Sequence, residues 1–338
     1  WNFENSYLTL PKIFYSNTKP ENFKNLKVIL KNESLLRFLN IEENKFENLL
    51  INSINNKKIN YYSQAYAGHQ FGHFTILGDG RATFLGEHIN KKNQRFDIQL
   101  KGSGKTPYSR NGDGKGTFKS MLREYIVSEG MHYLNINTTR SLSVLKTGEK
   151  IFRTGLEEGG ILVRVAKSHI RVGTFQLASL SKEKKDIQDL LEYSINRLFP
   201  EIIKSNNRYL EFYKKIVDAQ TKLIIDWQRV GFIHGVMNTD NMSLSGETID
   251  YGPCAFMDEY NPNKKFSSID YNGRYAFNNQ PKIIFWNLAR FAETFLHLID
   301  TDQKKSIGKI EEILKFYEKK YHELWLSMMK DKIHISDN

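Results

Sequence analysis

The spacing of apolar positions changes character twice along the chain, and those changes divide it into three regions. Over 1–59 the sequence is polar, and one or two amphipathic helices are expected there, such as 35–50. From Tyr61 to about Gln176, glycines separate short alternating runs, which predict strands at 71–77, 82–88, 96–100, 141–146 and 161–166. One helix interrupts them over 117–132, where Phe118, Met121, Leu122, Tyr125 and Ile126 recur at helical spacing. Beyond Ser181 the period is helical over 187–199, 209–230, 281–298 and 306–329, with loop-like breaks at 234–241 and 250–275. The expected fold class is α+β, a strand-rich lobe with one helix followed by a mostly helical lobe, with a cleft between them. In domain terms this is an N-terminal extension over 1–59 packed on the core, an N-lobe over 60–178 and a C-lobe over 179–338.

Composition narrows the function classes. At 338 residues, with 40% hydrophobic and 13% aromatic residues, the chain can bury a sizeable core. Apolar runs such as 283–286 are far too short to cross a bilayer, so no membrane association is expected. The chain begins at Trp1 and shows no basic-then-apolar leader, so no secretory signal is expected. Cys254 is the single cysteine, which excludes an internal disulfide framework and a cysteine-built zinc site. The net charge of +11 raises nucleic acid as a partner. Its lysines, however, are scattered among Asn and Ile, and a cluster such as 182–185 contains Glu183 and is followed by Asp186. That is a solvated face, and no nucleic-acid partner is expected.

Candidate chemistry begins at Gly78-Asp79-Gly80-Arg81, a tight turn between two apolar runs. A glycine-rich hairpin of this kind can also lie over phosphates, because backbone N–H groups reach an anion where side chains are missing. Lys101 ends the next strand, and Glu124 stands on the following helix, 23 residues later. A kinase-like site needs that pair: a strand lysine to hold phosphates and a helix glutamate to orient it. Gly102-Ser103-Gly104-Lys105-Thr106 resembles the end of a Walker A loop, but Gln99 stands where its first glycine belongs and Pro107 stops a following helix. His69 and His73 have the spacing of a helical zinc pair, yet Gly68 and Gly72 argue against a helix.

The run His234-Gly235-Val236-Met237-Asn238-Thr239-Asp240-Asn241 is followed by Asp250-Tyr251-Gly252. A kinase catalytic loop places a metal-binding Asn seven residues after its His, with an Asp-Phe-Gly further on. Asn241 and Asp250 occupy those positions, and their oxygens suit a hard cation. The base position holds Val236, and Asp240 is the nearby carboxylate that could replace it. The protein-kinase-like pattern is therefore present without its usual base.

The stretches YAGHQFGHF, LGDGRA, QLKGSGKTPYSRNGDGKG, LREYI, VRVAKSHIRVGTFQ, HGVMNTDNM, DYGPCAFMDEY and QPKIIFWNLARFAE closely resemble the selenoprotein O family, in order and to about residue 295. That resemblance implies a pseudokinase fold that binds ATP inverted relative to kinases and transfers AMP to hydroxyl side chains of protein substrates. It implies nucleotide contacts from Gly78, Gly80, Arg81, Lys101, Asp113, Gly114, Arg164 and Arg171, with Glu124 orienting the lysine. Asp240 would be the proton acceptor, and Asn241 and Asp250 the ligands of Mg2+, with Mn2+ as an alternative. UTP remains open as a second nucleotide, and ordinary phosphotransfer or a silent ATP-binding module as other functions. The resemblance places such a protein in the bacterial cytoplasm or the eukaryotic mitochondrion. Against the family, the chain is expected to lack a longer C-terminal helical portion and a redox-active cysteine or selenocysteine, which puts full activity and redox control in question.

Overall fold

The computed structural model describes residues 1–56 and 58–335; Lys57 and 336–338, within the first and last predicted regions, lie outside them. The chain forms two compact units. One comprises Trp1–Tyr66 with Ile76–His169, the other Ala67–Thr75 with Ile170–Asn338. The fold class is α+β.

The first unit is built on a ten-stranded sheet whose main path runs 15–17, 62–70, 82–89, 95–101, 156–166, 140–152 and 27–31. Two strands of this path, 15–17 and 27–31, come from the first 59 residues, where the polar pattern predicts helices and loops. Arg95–Lys101 lies in the middle, pairing antiparallel with Ala82–Ile89 on one side and Leu156–Ala166 on the other. Side chains alternate across such a strand. Ile98 and Leu100, with Ile161, Val163 and Val165, therefore enter one core, closed by Leu35, Leu36, Phe46 and Leu50 from the helices Glu33–Leu39 and Glu43–Asn55. The predicted single helix over 35–50 is two, because Asn40 turns left-handed at φ 59° and caps the first.

The opposite face carries Gln99, Lys101, Leu162 and Arg164, with Arg164 directly across from Gln99. The helix Phe118–Tyr133 covers it, started by Thr117, whose side chain accepts from the Ser120 N–H. Met121 packs there on Val144 and Leu162. The buried stripe of this helix is Met121, Glu124, Ser128, Glu129 and Met131, while Ile126 is 61% exposed. The apolar spacing thus marks the helix but not its buried face.

The second unit is mostly helical. Arg208–Val230 packs against Gln303–Ile333 and Gln280–Glu293, around an aromatic core of Phe175, Phe212, Tyr213, Phe291 and Phe295. The helix predicted over 281–298 ends at Glu293 and resumes as Leu296–Ile299. A short antiparallel pair, Phe232–Ile233 with Ala255–Phe256, closes the base of the excursion 234–254.

Candidate active site

In the first unit, Lys101 and Glu124 come together: Lys101 Nζ lies 2.7 Å from Glu124 Oε2. The other carboxylate oxygen of Glu124 accepts from Arg164 at 2.5 Å, and Arg164 also donates to Gln99 Oε1 at 3.2 Å. All three charged side chains are at most 5% exposed. One carboxylate thus holds two cations, which is how buried charges are tolerated. Because Lys101 and Arg164 arise from neighbouring strands on the same face, the sheet register itself aims them at the helix.

The glycine turn is occupied by the protein's own chain. Asp79 N–H donates to Gln64 O at 2.9 Å and Gly80 N–H to Gly78 O at 2.8 Å, so these two donors are not open for phosphate as the turn's pattern leads one to expect. Thr106 Oγ1 donates to Asp79 O at 2.7 Å, Ser109 Oγ donates to Gly80 O, and a Cβ at Gly78 would collide with the Tyr108 ring. The Walker-like residues 102–106 belong to this strap and form no helix; Lys105 is exposed. Arg81 is exposed beside the turn. Asp113 pairs with Arg153 through contacts of 3.0 and 2.8 Å, which hold its carboxyl below the usual range, and Gly114 follows at φ 68°.

In the second unit, Asp240 sits in a short 3-10 turn, Thr239–Asn241, at 6% exposure. Its Oδ1 is buried with no hydrogen-bond partner. Burial pushes its pKa up to about 6, reinforced by the neighbouring charge of Asp250 and opposed by Arg171 and by Gln70. Arg171 donates to the Asp240 backbone carbonyl at 2.9 Å and to Asp250 Oδ2 at 3.1 Å. A Cβ at Gly68 would collide with the Asp240 carboxylate, so the hairpin tip can approach this side chain only through glycine.

Asp250 is left-handed, at φ 62°. That conformation is uncommon outside glycine and clusters at functional sites. Asn241 Nδ2 donates to Val236 O at 3.0 Å, which leaves its carboxamide oxygen as the group for a cation. With Asp250 this gives an all-oxygen donor set, which fits a hard divalent ion. His234 takes a structural part: its ring bonds Ile249 O at 2.8 Å and stacks on Trp227. His69 and His73 lie on two strands of a hairpin, and His69 is engaged by Gln176 at 2.8 Å.

Residues that sequence reasoning missed are the partners. Gln99 accepts from Arg164, Gln70 bonds Asp240, and Gly68 leaves the room that the Asp240 carboxylate fills. No pattern along the chain marks them: the pairing of Gln99 with Arg164 belongs to the register of the folded sheet.

The family model described as Protein adenylyltransferase SelO matches residues 1–338. Proteins called Protein nucleotidyltransferase YdiU are similar throughout. That of Pelagibacter ubique is 52% identical over 340 residues, covering 99% of this chain and 70% of its own. That of Brevibacillus brevis is 53% identical, covering 99% and 69%. A solved structure, WaaP in complex with acyl carrier protein, covers 88% of this chain at 10% identity and a TM-score of 0.28, too slight a likeness to bear on the fold.

Proposed function

Because this chain belongs to the SelO family and is a nucleotidyltransferase, we propose that it transfers AMP from ATP to the hydroxyl of serine, threonine or tyrosine side chains on proteins. The observation that carries this reading is the setting of Asp240. A kinase base would stand at Val236, which has no group to take a proton. Asp240 offers a buried carboxylate oxygen without a donor and a pKa near 6, suited to accepting a proton near neutrality.

In the proposed reaction the acceptor hydroxyl oxygen forms a bond to the α-phosphorus, and its proton passes to Asp240. The bond from the α-phosphorus to the bridging oxygen breaks, and pyrophosphate leaves. Lys101, Arg164 and Arg171 grip the phosphates, with Glu124 fixing Lys101 and Arg164 in place. Gly78, Arg81, Asp113 and Gly114 complete the nucleotide contacts, Gly80 shapes the turn with its N–H held by Gly78 O, and the nucleotide lies inverted relative to a kinase. Asn241 and Asp250 would hold magnesium, or manganese in its place, and that ion when bound neutralises phosphate charge.

Incubation with ATP labelled at the α- or the γ-phosphorus tests this. Covalent label on protein is expected from the α position alone, with pyrophosphate as co-product. Label from γ alone establishes ordinary phosphotransfer, and label from neither, with ATP bound, establishes a silent binding module. UTP labelled at the α-phosphorus, run beside it, reads out nucleotide preference.

A further inference from the structure

The hairpin tip Ala67–Thr75 and the loop 269–274, both in the second unit, border an open groove of about 510 Å³. Two of the residues lining it, Arg274 and Lys282, form no ion pair among the described residues. Arg274 is held in place by rings: its guanidinium lies 4.7 Å from the Trp286 ring and 5.8 Å from that of Tyr275. Such stacking orients a guanidinium without neutralising it. The carboxylate in the lining, Asp270, is 3% exposed and accepts from the Arg274 N–H at 2.8 Å and the Tyr275 N–H at 2.9 Å. It faces inward, and the open surface is left to the two cations. Beside them Tyr271 is 82% exposed and Ile269 58%.

The groove is joined to the loop that carries Asp240. Phe71 N–H donates to Asn238 Oδ1 at 3.0 Å, Tyr275 OH donates to the same oxygen at 2.6 Å, and His69 N–H donates to Thr239 Oγ1 at 2.7 Å. Asn238 and Thr239 immediately precede Asp240. A chain seated in the groove therefore lies against the residues that position the base.

We propose that this groove seats an acidic segment of the acceptor protein, next to the hydroxyl to be modified. Arg274 and Lys282 meet its carboxylates, and Tyr271 and Ile269 contact its apolar side chains. The assignment rests on the reading of the acceptor as a protein, and charge complementarity selects the acidic segment.

The test is binding, read by fluorescence anisotropy on the full chain. The probes are a labelled peptide with one tyrosine among glutamates and its counterpart with lysines. The glutamate peptide is expected to bind at least about tenfold more tightly. Lys282→Glu and Arg274→Gln should each weaken it by about fivefold. Lys92→Glu, the same reversal at an exposed turn of the first unit, should change it by less than about twofold. Equal binding of the two peptides overturns the proposal, as does an equal loss in Lys92→Glu. Displacement of the glutamate peptide by a single-stranded oligonucleotide of equal charge also overturns it, since that marks a general polyanion surface. Failure of α-phosphorus transfer with the peptide preference intact leaves the groove standing and removes the reaction.

Discussion

Glu124 is shared by Lys101 and Arg164, and none of the three side chains is more than 5% exposed. Removing the carboxylate leaves two buried cations without their common anion, a loss of about 3–5 kcal/mol. Glu124→Ala is therefore expected to lower the melting temperature by roughly 10 °C. Lys101→Met, which keeps the Arg164–Glu124 pair, should cost clearly less while weakening ATP binding. Scanning calorimetry of both variants checks this, and a Glu124→Ala protein that melts with the wild type removes the triad as an energetic unit. A second residue sets a pH dependence. His88 is buried in its neutral form, its Nδ1 accepting from Asn2 N–H at 3.2 Å and its Nε2 bonded to Leu39 O at 2.8 Å. Burial depresses its pKa below 6.5, so the unfolded chain takes up a proton before the folded one does. The stability it contributes is present above about 6.5 and is lost as pH falls through the depressed value. His88→Gln should flatten that limb of stability against pH, measured by urea unfolding, and an unchanged slope rejects the assignment. The sequence made Lys101 and Glu124 legible as a pair because strand and helix order prescribe it. Arg164 as the third member was legible only through family resemblance, since nothing along the chain says that 164 stands opposite 99.

The short helix Val172–Ala178 is buried at every residue and lies against both the Asp240 turn and the hairpin tip. A Cβ at Gly173 would collide with Ala67 O and stand 3.1 Å from Asp240 Cα. Gly173→Ala should therefore destabilise by about 1–3 kcal/mol and, by displacing Asp240, lower transfer by at least about tenfold. Gly130, mid-helix and exposed with nothing within 4 Å, is its control: Gly130→Ala should stabilise by about 0.5–1 kcal/mol with activity intact. Thermal melts together with transfer of the α-label decide both, and an active, wild-type-stable Gly173→Ala would show that the helix does not position the base. An element with one exposed face was easiest to read, as with Arg208–Val230. The strand Tyr62–Gln70 escaped because polar Ser63 and Gln64 are among its buried residues, so no apolar run marks it. On Phe118–Tyr133 three of the five buried residues, Glu124, Ser128 and Glu129, are polar, since Glu124 and Glu129 meet basic partners there; Arg140 holds Glu129 through contacts of 2.9 and 2.6 Å. A hydrophobic pattern cannot mark a face that is buried by ion pairs.

At the scale of the whole molecule, the chain does not divide into consecutive stretches. Residues 67–75 leave the first unit to join the second, bringing Gly68 and Gln70 to Asp240, and no linear boundary drawn from composition foresees that loan. The order of motifs survived this rearrangement because the glycine turn, Lys101 and Glu124 all lie in one unit, and the loop 234–241 and Asp-Tyr-Gly in the other. Ligand binding by the folded state alone raises the stability of the entire chain, by about 2.7 kcal/mol at a hundredfold excess over Kd. Magnesium and ATP together should thus raise the melting temperature by several degrees. Comparing each variant with and without ligand separates the roles of its two carboxylates, whatever each substitution costs the unliganded protein. Asp250→Ala should lose the magnesium-dependent part of the rise, because a charged oxygen ligand is gone and Arg171 no longer has its 3.1 Å partner. Asp240→Ala should keep that rise while losing about 100-fold to 10,000-fold in turnover, since a proton acceptor acts after binding. A rise abolished equally in both would make Asp240 a cation ligand and leave the hydroxyl proton without an acceptor in this loop.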